Sequence, residues 1–139
     1  MRSLLFLALV FTCLLSNAQI GTGDWRIHFS AFNAVGIAET TDEIFMACSN
    51  GVVAYDLNDN SVNKLTVTNG LSDLGISAIA AENDIVVVGY ANGNLDIIEG
   101  NTITNLPWIK KAELSGDKTI NSILFDCNII YICTNIGLV

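Results

Sequence analysis

The chain repeats itself three times, and that repeat constrains the fold more than any other feature. Residues 44–53, 85–94 and 129–138 share one plan: a β-branched run, a turn built on Asn and Gly, and the start of another strand. The fifth position of each run is small, occupied by Cys48, Gly89 and Cys133. A strand packed in a crowded inner layer requires that. Upstream, residues 34–39, 77–82 and 121–126 each lead through a polar turn into the main run. Those turns contain Thr41-Asp42-Glu43, Asn83-Asp84 and Asp126-Cys127-Asn128. Downstream, residues 52–56 and 94–99 read as third strands, and residues 62–66 and 102–106 as fourth strands.

Four short strands in each period of roughly 40–45 residues is the pattern of a propeller blade. Helical repeats have similar periods but would show a spacing of about 3.6 residues, which these runs lack. The expected fold is all-β: β-propeller blades of four antiparallel strands. About two and a half blades fit within 33–139, the third being truncated. A propeller ring closes with roughly four to eight blades, so the chain reads as the N-terminal fragment of a longer protein. Within the segment 19–32, Trp25-Arg26-Ile27-His28-Phe29 is a candidate ring-closing strand.

Ahead of the repeat, residues 1–18 read as a secretory signal peptide. Arg2 gives a short positive start, Leu4 to Leu15 an apolar core, and Ser16-Asn17-Ala18 a small-residue cleavage site. The core is shorter than the roughly 20 residues a membrane span needs. Thr12 before Cys13 speaks against a lipoprotein signal. Export leaves Cys48, Cys127 and Cys133, an odd number that cannot pair completely. The repeat makes them small buried strand residues rather than a disulfide framework.

Charge narrows the partners. The whole chain has 14 acidic and 6 basic residues, a formal charge of -8, and loses Arg2 with the signal. Nucleic-acid binding needs the opposite sign. With a hydrophobic content of 51%, disorder is also excluded. His28 is the sole histidine, so familiar multi-histidine metal sites and Ser-His-Asp triads are out of reach. Cys127 and Cys133 lack the second pair that zinc would need. The run from Asp56 to Ser61 begins like a calcium loop but has Ser61 where glycine belongs and Val67 where a glutamate belongs. It reads as a hairpin turn. Asp42-Glu43 and Glu82/Asp84 occupy matching turns of successive repeats, which points to turn chemistry rather than catalysis. No cofactor or catalytic residue is expected, and the chain reads as non-enzymatic.

One segment breaks the repeat. Pro107-Trp108-Ile109-Lys110-Lys111 through Lys118 lengthens the link into the third repeat and gathers an aromatic with three lysines. Loops on a rigid scaffold often carry binding. Trp108, Lys110, Lys111 and Lys118 are therefore the candidate ligand-binding residues, suited to an anionic or sugar-bearing ligand.

Two families share these residues. The sequences Ile120-Asn-Ser-Ile-Leu-Phe-Asp, Ile130-Tyr-Ile-Cys-Thr-Asn-Ile-Gly-Leu-Val and Gly51-Val-Val-Ala-Tyr-Asp resemble the propeller repeat of periplasmic sensors in hybrid two-component systems. The start is more specific. Gly23-Asp-Trp-Arg-Ile-His after the signal, Asn69-Gly-Leu-Ser-Asp and Tyr90-Ala-Asn-Gly-Asn-Leu-Asp resemble the PorZ family of the type IX secretion attachment complex. That resemblance implies two propellers and a C-terminal β-sandwich at the outer membrane surface. It also implies a sortase and other attachment-complex proteins as partners, and a role in presenting anionic lipopolysaccharide to the sortase. The sensor resemblance implies a periplasmic ligand-sensing propeller instead. An acidic chain meets an anionic glycolipid only through a local basic patch, and Lys110, Lys111 and Lys118 are the candidate cluster.

Overall fold

The computed structural model describes residues 31–127 and 129–139. The signal segment and Trp25–Phe29 lie outside the described residues. The remainder forms three antiparallel sheets in which strands pair in chain order. The first sheet is β1 (Ala34–Glu39), β2 (Glu43–Cys48), β3 (Gly51–Asp56) and β4 (Val62–Leu65). The second is β5 (Ile76–Glu82), β6 (Ile85–Tyr90), β7 (Leu95–Glu99) and β8 (Thr102–Asn105). The third has β9 (Ile120–Asp126), β10 (Ile129–Thr134) and the short β11 (Gly137–Leu138). This is the partial propeller that the repeat predicts.

Turn chemistry ends each strand. The Asp56 carboxylate accepts the Asn58 amide at 2.7 Å, and the Asp59 carboxylate accepts the Ser61 amide at 2.8 Å. Asn60 takes the left-handed conformation at φ 61°, a region that Asn tolerates better than most residues. The Asp56–Ser61 run therefore spends its carboxylates on its own backbone.

The hydrogen-bonded register corrects one alignment. A bulge interrupts the first strand of every sheet, between Ala34 and Gly36, Ile76 and Ala78, and opposite Cys133 and Thr134. Aligning the bulges equates Cys48 with Tyr90 and Thr134, the partners of Ala34, Ile76 and Ile120. The small position is therefore Ala47, Gly89 and Cys133. The first hairpin is wider, closing with Thr40 N–H donating to the Glu43 carbonyl at 2.9 Å. That extra length displaced the match based on Ile44 by one residue.

The sheets stack through two apolar clusters. Phe45, Ala47, Val52 and Ala54 of the first sheet meet Val86, Val88, Tyr90 and Ile98 of the second. The opposite face of the second sheet, with Val87 and Leu95, meets Ile120 and Ile132 of the third. A Cβ added at Gly89 would lie 2.7 Å from Ile120 Cγ2, so only glycine allows this approach. The connections repeat as well. Gly75 N–H donates to the Ser49 carbonyl at 2.9 Å, and Thr119 Oγ1 donates to the Ala91 carbonyl at 3.0 Å. Each incoming first strand is thus tied to the β2–β3-type turn of the sheet before it.

Burial of the cysteines differs from expectation. Cys48 is fully buried, whereas Cys127 and Cys133 are exposed, and all three are free thiols. Cys127 sits in the β9–β10 turn at φ 54°. Cys133 occupies the position that the next sheet's first strand covers at Ala47 and Gly89. Among the described residues no sheet follows it.

Candidate functional site

The segment between β8 and β9 folds into α1 (Trp108–Lys111), a single helical turn. Pro107 precedes it, and Lys111 N–H closes the turn on the Pro107 carbonyl at 2.9 Å. Ile109 points inward and is buried between the second and third sheets. Trp108 points the other way and is 73% exposed. An exposed indole on a turn anchored by a buried isoleucine is a rigidly held aromatic surface.

The three lysines do not form one patch. The Lys110 ammonium pairs with Asp73 at 2.5 Å, joining α1 to the link between the first two sheets. Lys118 donates to the carbonyls of Lys110 and Ala112 at 2.9 and 2.6 Å. It thereby neutralises the carbonyl end of α1. Lys111 is exposed, and its side chain has no ion pair or hydrogen bond among the described residues. The free chemistry at this end is therefore Trp108 and Lys111.

Sequence reasoning missed what lies beneath. Asp73 accepts Asn92 Nδ2 at 2.6 Å and Asn94 Nδ2 at 3.4 Å besides Lys110. The Lys110 contact, followed by Asn92 and the Leu74 N–H, outweighs partial burial and holds its carboxyl below the usual range. Next to it, the wholly buried Asp96 accepts Tyr90 Oη at 2.6 Å, Ser72 N–H at 2.8 Å and Asn105 Nδ2 at 2.9 Å. Burial and then the Asp96 carboxylate raise the Tyr90 phenol far above its ordinary range. The signal available was a lone acid in the apolar run Leu95-Asp-Ile-Ile.

Two hollows flank the second sheet. An apolar one of about 410 Å³ lies beside Trp108 and is lined by Val87, Leu95, Ile97, Leu106 and Ile132. A polar one of about 520 Å³ opens between the first two sheets, among Asp42, Glu43, Asp56, Asn58, Lys64 and Asn101. Asp42 there accepts Asn58 Nδ2 at 3.2 Å, bracing the neighbouring turn. Partial burial, then Asp56 and Asp42, raise the Glu43 carboxyl. Asp84 joins Asp42 and Glu43 around a smaller recess of about 150 Å³. Glu82 closes β5 beside a different recess, so of the second pair only Asp84 faces the first. Among the described residues, no group of three or more His, Cys, Asp or Glu could hold a metal ion.

Stacked antiparallel sheets of four, four and three strands define a partial β-propeller. The model of the PorZ N-terminal β-propeller domain of the type IX secretion system matches residues 44–139, and the chain belongs to that family. The solved PorZ of Porphyromonas gingivalis, a surface component of that system, is 28% identical with a TM-score of 0.69. The match covers 76% of this chain and 15% of that one, so this chain spans a small part of its relative's length. The extracellular domain of a hybrid two-component system of B. thetaiotaomicron is 24% identical with a TM-score of 0.58. That match covers 70% of this chain and 14% of that one, and shows the fold alone. No curated protein matches the chain significantly.

Proposed function

We propose that the chain is a non-enzymatic binding module of the type IX attachment complex, exported by its signal segment to the outer membrane surface. There it helps to present an anionic lipopolysaccharide to the sortase and its partner proteins. The observation that supports this beyond family membership is the presented pair Trp108 and Lys111. An indole face suits the apolar face of a sugar ring, and a free ammonium suits its acidic group. Lys110 and Lys118 serve the scaffold, so the ligand contacts reduce from the expected four residues to two.

Binding of purified protein to anionic lipopolysaccharide at low salt tests the reading. Trp108→Ala should weaken it about tenfold, and Lys111→Ser severalfold with a shallower salt dependence. Parent-like affinity in both variants would remove this site. A second reading, the sensing propeller of a two-component kinase, rests on the fold likeness alone and is the weaker.

A further inference from the structure

Three Asn-Gly pairs punctuate the chain: Asn50-Gly51, Asn69-Gly70 and Asn92-Gly93. Asparagine before glycine is the most labile setting for a side-chain amide, because glycine has no Cβ to shield its backbone nitrogen from the neighbouring amide carbon. All three asparagines are exposed, so access to water does not separate them. Their hydrogen bonds do.

Asn69 is held at both ends of its amide. Its Oδ1 accepts Thr66 N–H at 2.5 Å and Thr66 Oγ1 at 3.0 Å, and its Nδ2 donates to the Lys64 carbonyl at 2.5 Å. Asn92 is held likewise, with Nδ2 on the Asp73 carboxylate at 2.6 Å and Oδ1 accepting Asn94 N–H at 3.0 Å. Asn50 has only the Ser49 hydroxyl, donating to its Oδ1 at 3.5 Å, beyond the usual range for such a bond. Its Nδ2 has no partner among the described residues. Rotating the Asn50 amide toward Gly51 therefore breaks nothing stronger than that contact, whereas the other two must first give up two or three bonds.

The position matters for the fold. Ser49 and Asn50 form the two-residue turn between Cys48 and Gly51, the last pair of the β2–β3 ladder, and end pairs open more readily than middle ones. The Ser49 carbonyl accepts Gly75 N–H at 2.9 Å and Ile76 N–H at 3.2 Å, which ties the second sheet to the first. Both of these sheets have all four strands, so the junction is framed on both sides.

We propose that Asn50 is a site of spontaneous deamidation whose isoaspartyl product loosens the junction of the first two sheets. The Gly51 nitrogen gives its proton to solvent base and bonds to Asn50 Cγ. The Cγ–Nδ2 bond breaks and ammonia leaves, closing a succinimide ring. Water then opens the ring at either carbonyl, giving aspartate or isoaspartate. Either product adds a negative charge to a chain already at -8. Isoaspartate also routes the backbone through the former side chain, lengthening by one carbon the turn that carries the Ser49 carbonyl.

The test is peptide mapping by mass spectrometry after prolonged incubation of the full chain at mildly alkaline pH. Asn50 should gain one mass unit at least about tenfold faster than Asn69 or Asn92. In concentrated urea the three should convert at similar rates. Conversion of Asn69 or Asn92 as fast as Asn50 in the folded chain overturns the proposal. So does a folded chain in which Asn50 stays intact while the urea sample converts. In the isoaspartyl fraction, separated by ion exchange, the Gly75 and Ile76 amides should exchange hydrogen severalfold faster than in fresh protein. Unchanged exchange at both overturns the loosening of the junction.

Discussion

The first and second sheets share a backbone plan but differ at three aligned positions. Where the second has Tyr90, Asp96 and Asn105, the first has Cys48, Val53 and Lys64. In the second sheet these residues form a closed polar network against the first sheet and its connecting loop. In the first sheet Val53 stands where the acid would be and Cys48 where its hydroxyl donor would be. The contrast teaches that a carboxylate is tolerated in this strand only because three donors converge on it. Those donors are the Tyr90 hydroxyl, the Asn105 amide and Ser72 N–H. Ser72 belongs to the connection, so the buried acid also fixes the path from one sheet to the next. Burying the charge unpaired would cost several kcal/mol.

Copying the first sheet into the second breaks the contrast most severely. Asp96→Val should destabilise the chain by about 3 kcal/mol, because it strands the buried Tyr90 hydroxyl and two part-buried donors, Ser72 N–H and the Asn105 amide. Val53→Ala, at the matching position of the first sheet, should cost about 1 kcal/mol. Urea titration of both variants gives the ratio. Similar losses in the two would show that the network adds nothing to packing.

Removing a single donor sharpens the comparison. Tyr90→Phe should cost about 1.5 kcal/mol, since the hydroxyl bonds a charged acceptor. It also carries a pH signature. The phenol is raised in the folded state, so its contribution is complete below the unfolded value of 10.0 and falls as pH climbs beyond it. Stability of the parent should therefore decline above pH 10 more steeply than that of Tyr90→Phe. Parallel profiles would contradict the assignment.

Lys110→Ala should have the smallest effect, about 0.5 kcal/mol, because the pair with Asp73 is solvent-exposed. Its local consequence is the informative one. Trp108 fluorescence anisotropy should fall as α1 loses its tie to the first connection, while the melting temperature barely moves. Unchanged anisotropy would mean that Ile109 alone holds the turn.

Strand positions were legible because they are local. Alternating β-branched runs and Asn-Gly or Asn-Asp turns fix where the chain extends and reverses, and the structure differs from that reading by one or two residues at strand ends. Register in the first sheet was not legible, because four-residue and two-residue turns look alike when only the flanking isoleucines are matched. The exposed Trp108 was visible as the residue that breaks the repeat. The roles of its neighbours were not: Lys110 and Lys118 find their partners 37 and 8 residues away in sequence.

The sequence by itself determined the repeating strand–turn plan, the blade-like period and the family, since each depends on residues near one another in the chain. The tertiary structure alone decided which faces are covered, which lysines remain free and which cysteines meet solvent. Burial is a relation between sheets. Ala47 is enclosed and Cys133 is exposed although the two hold equivalent positions, because among the described residues a further sheet packs only over Ala47.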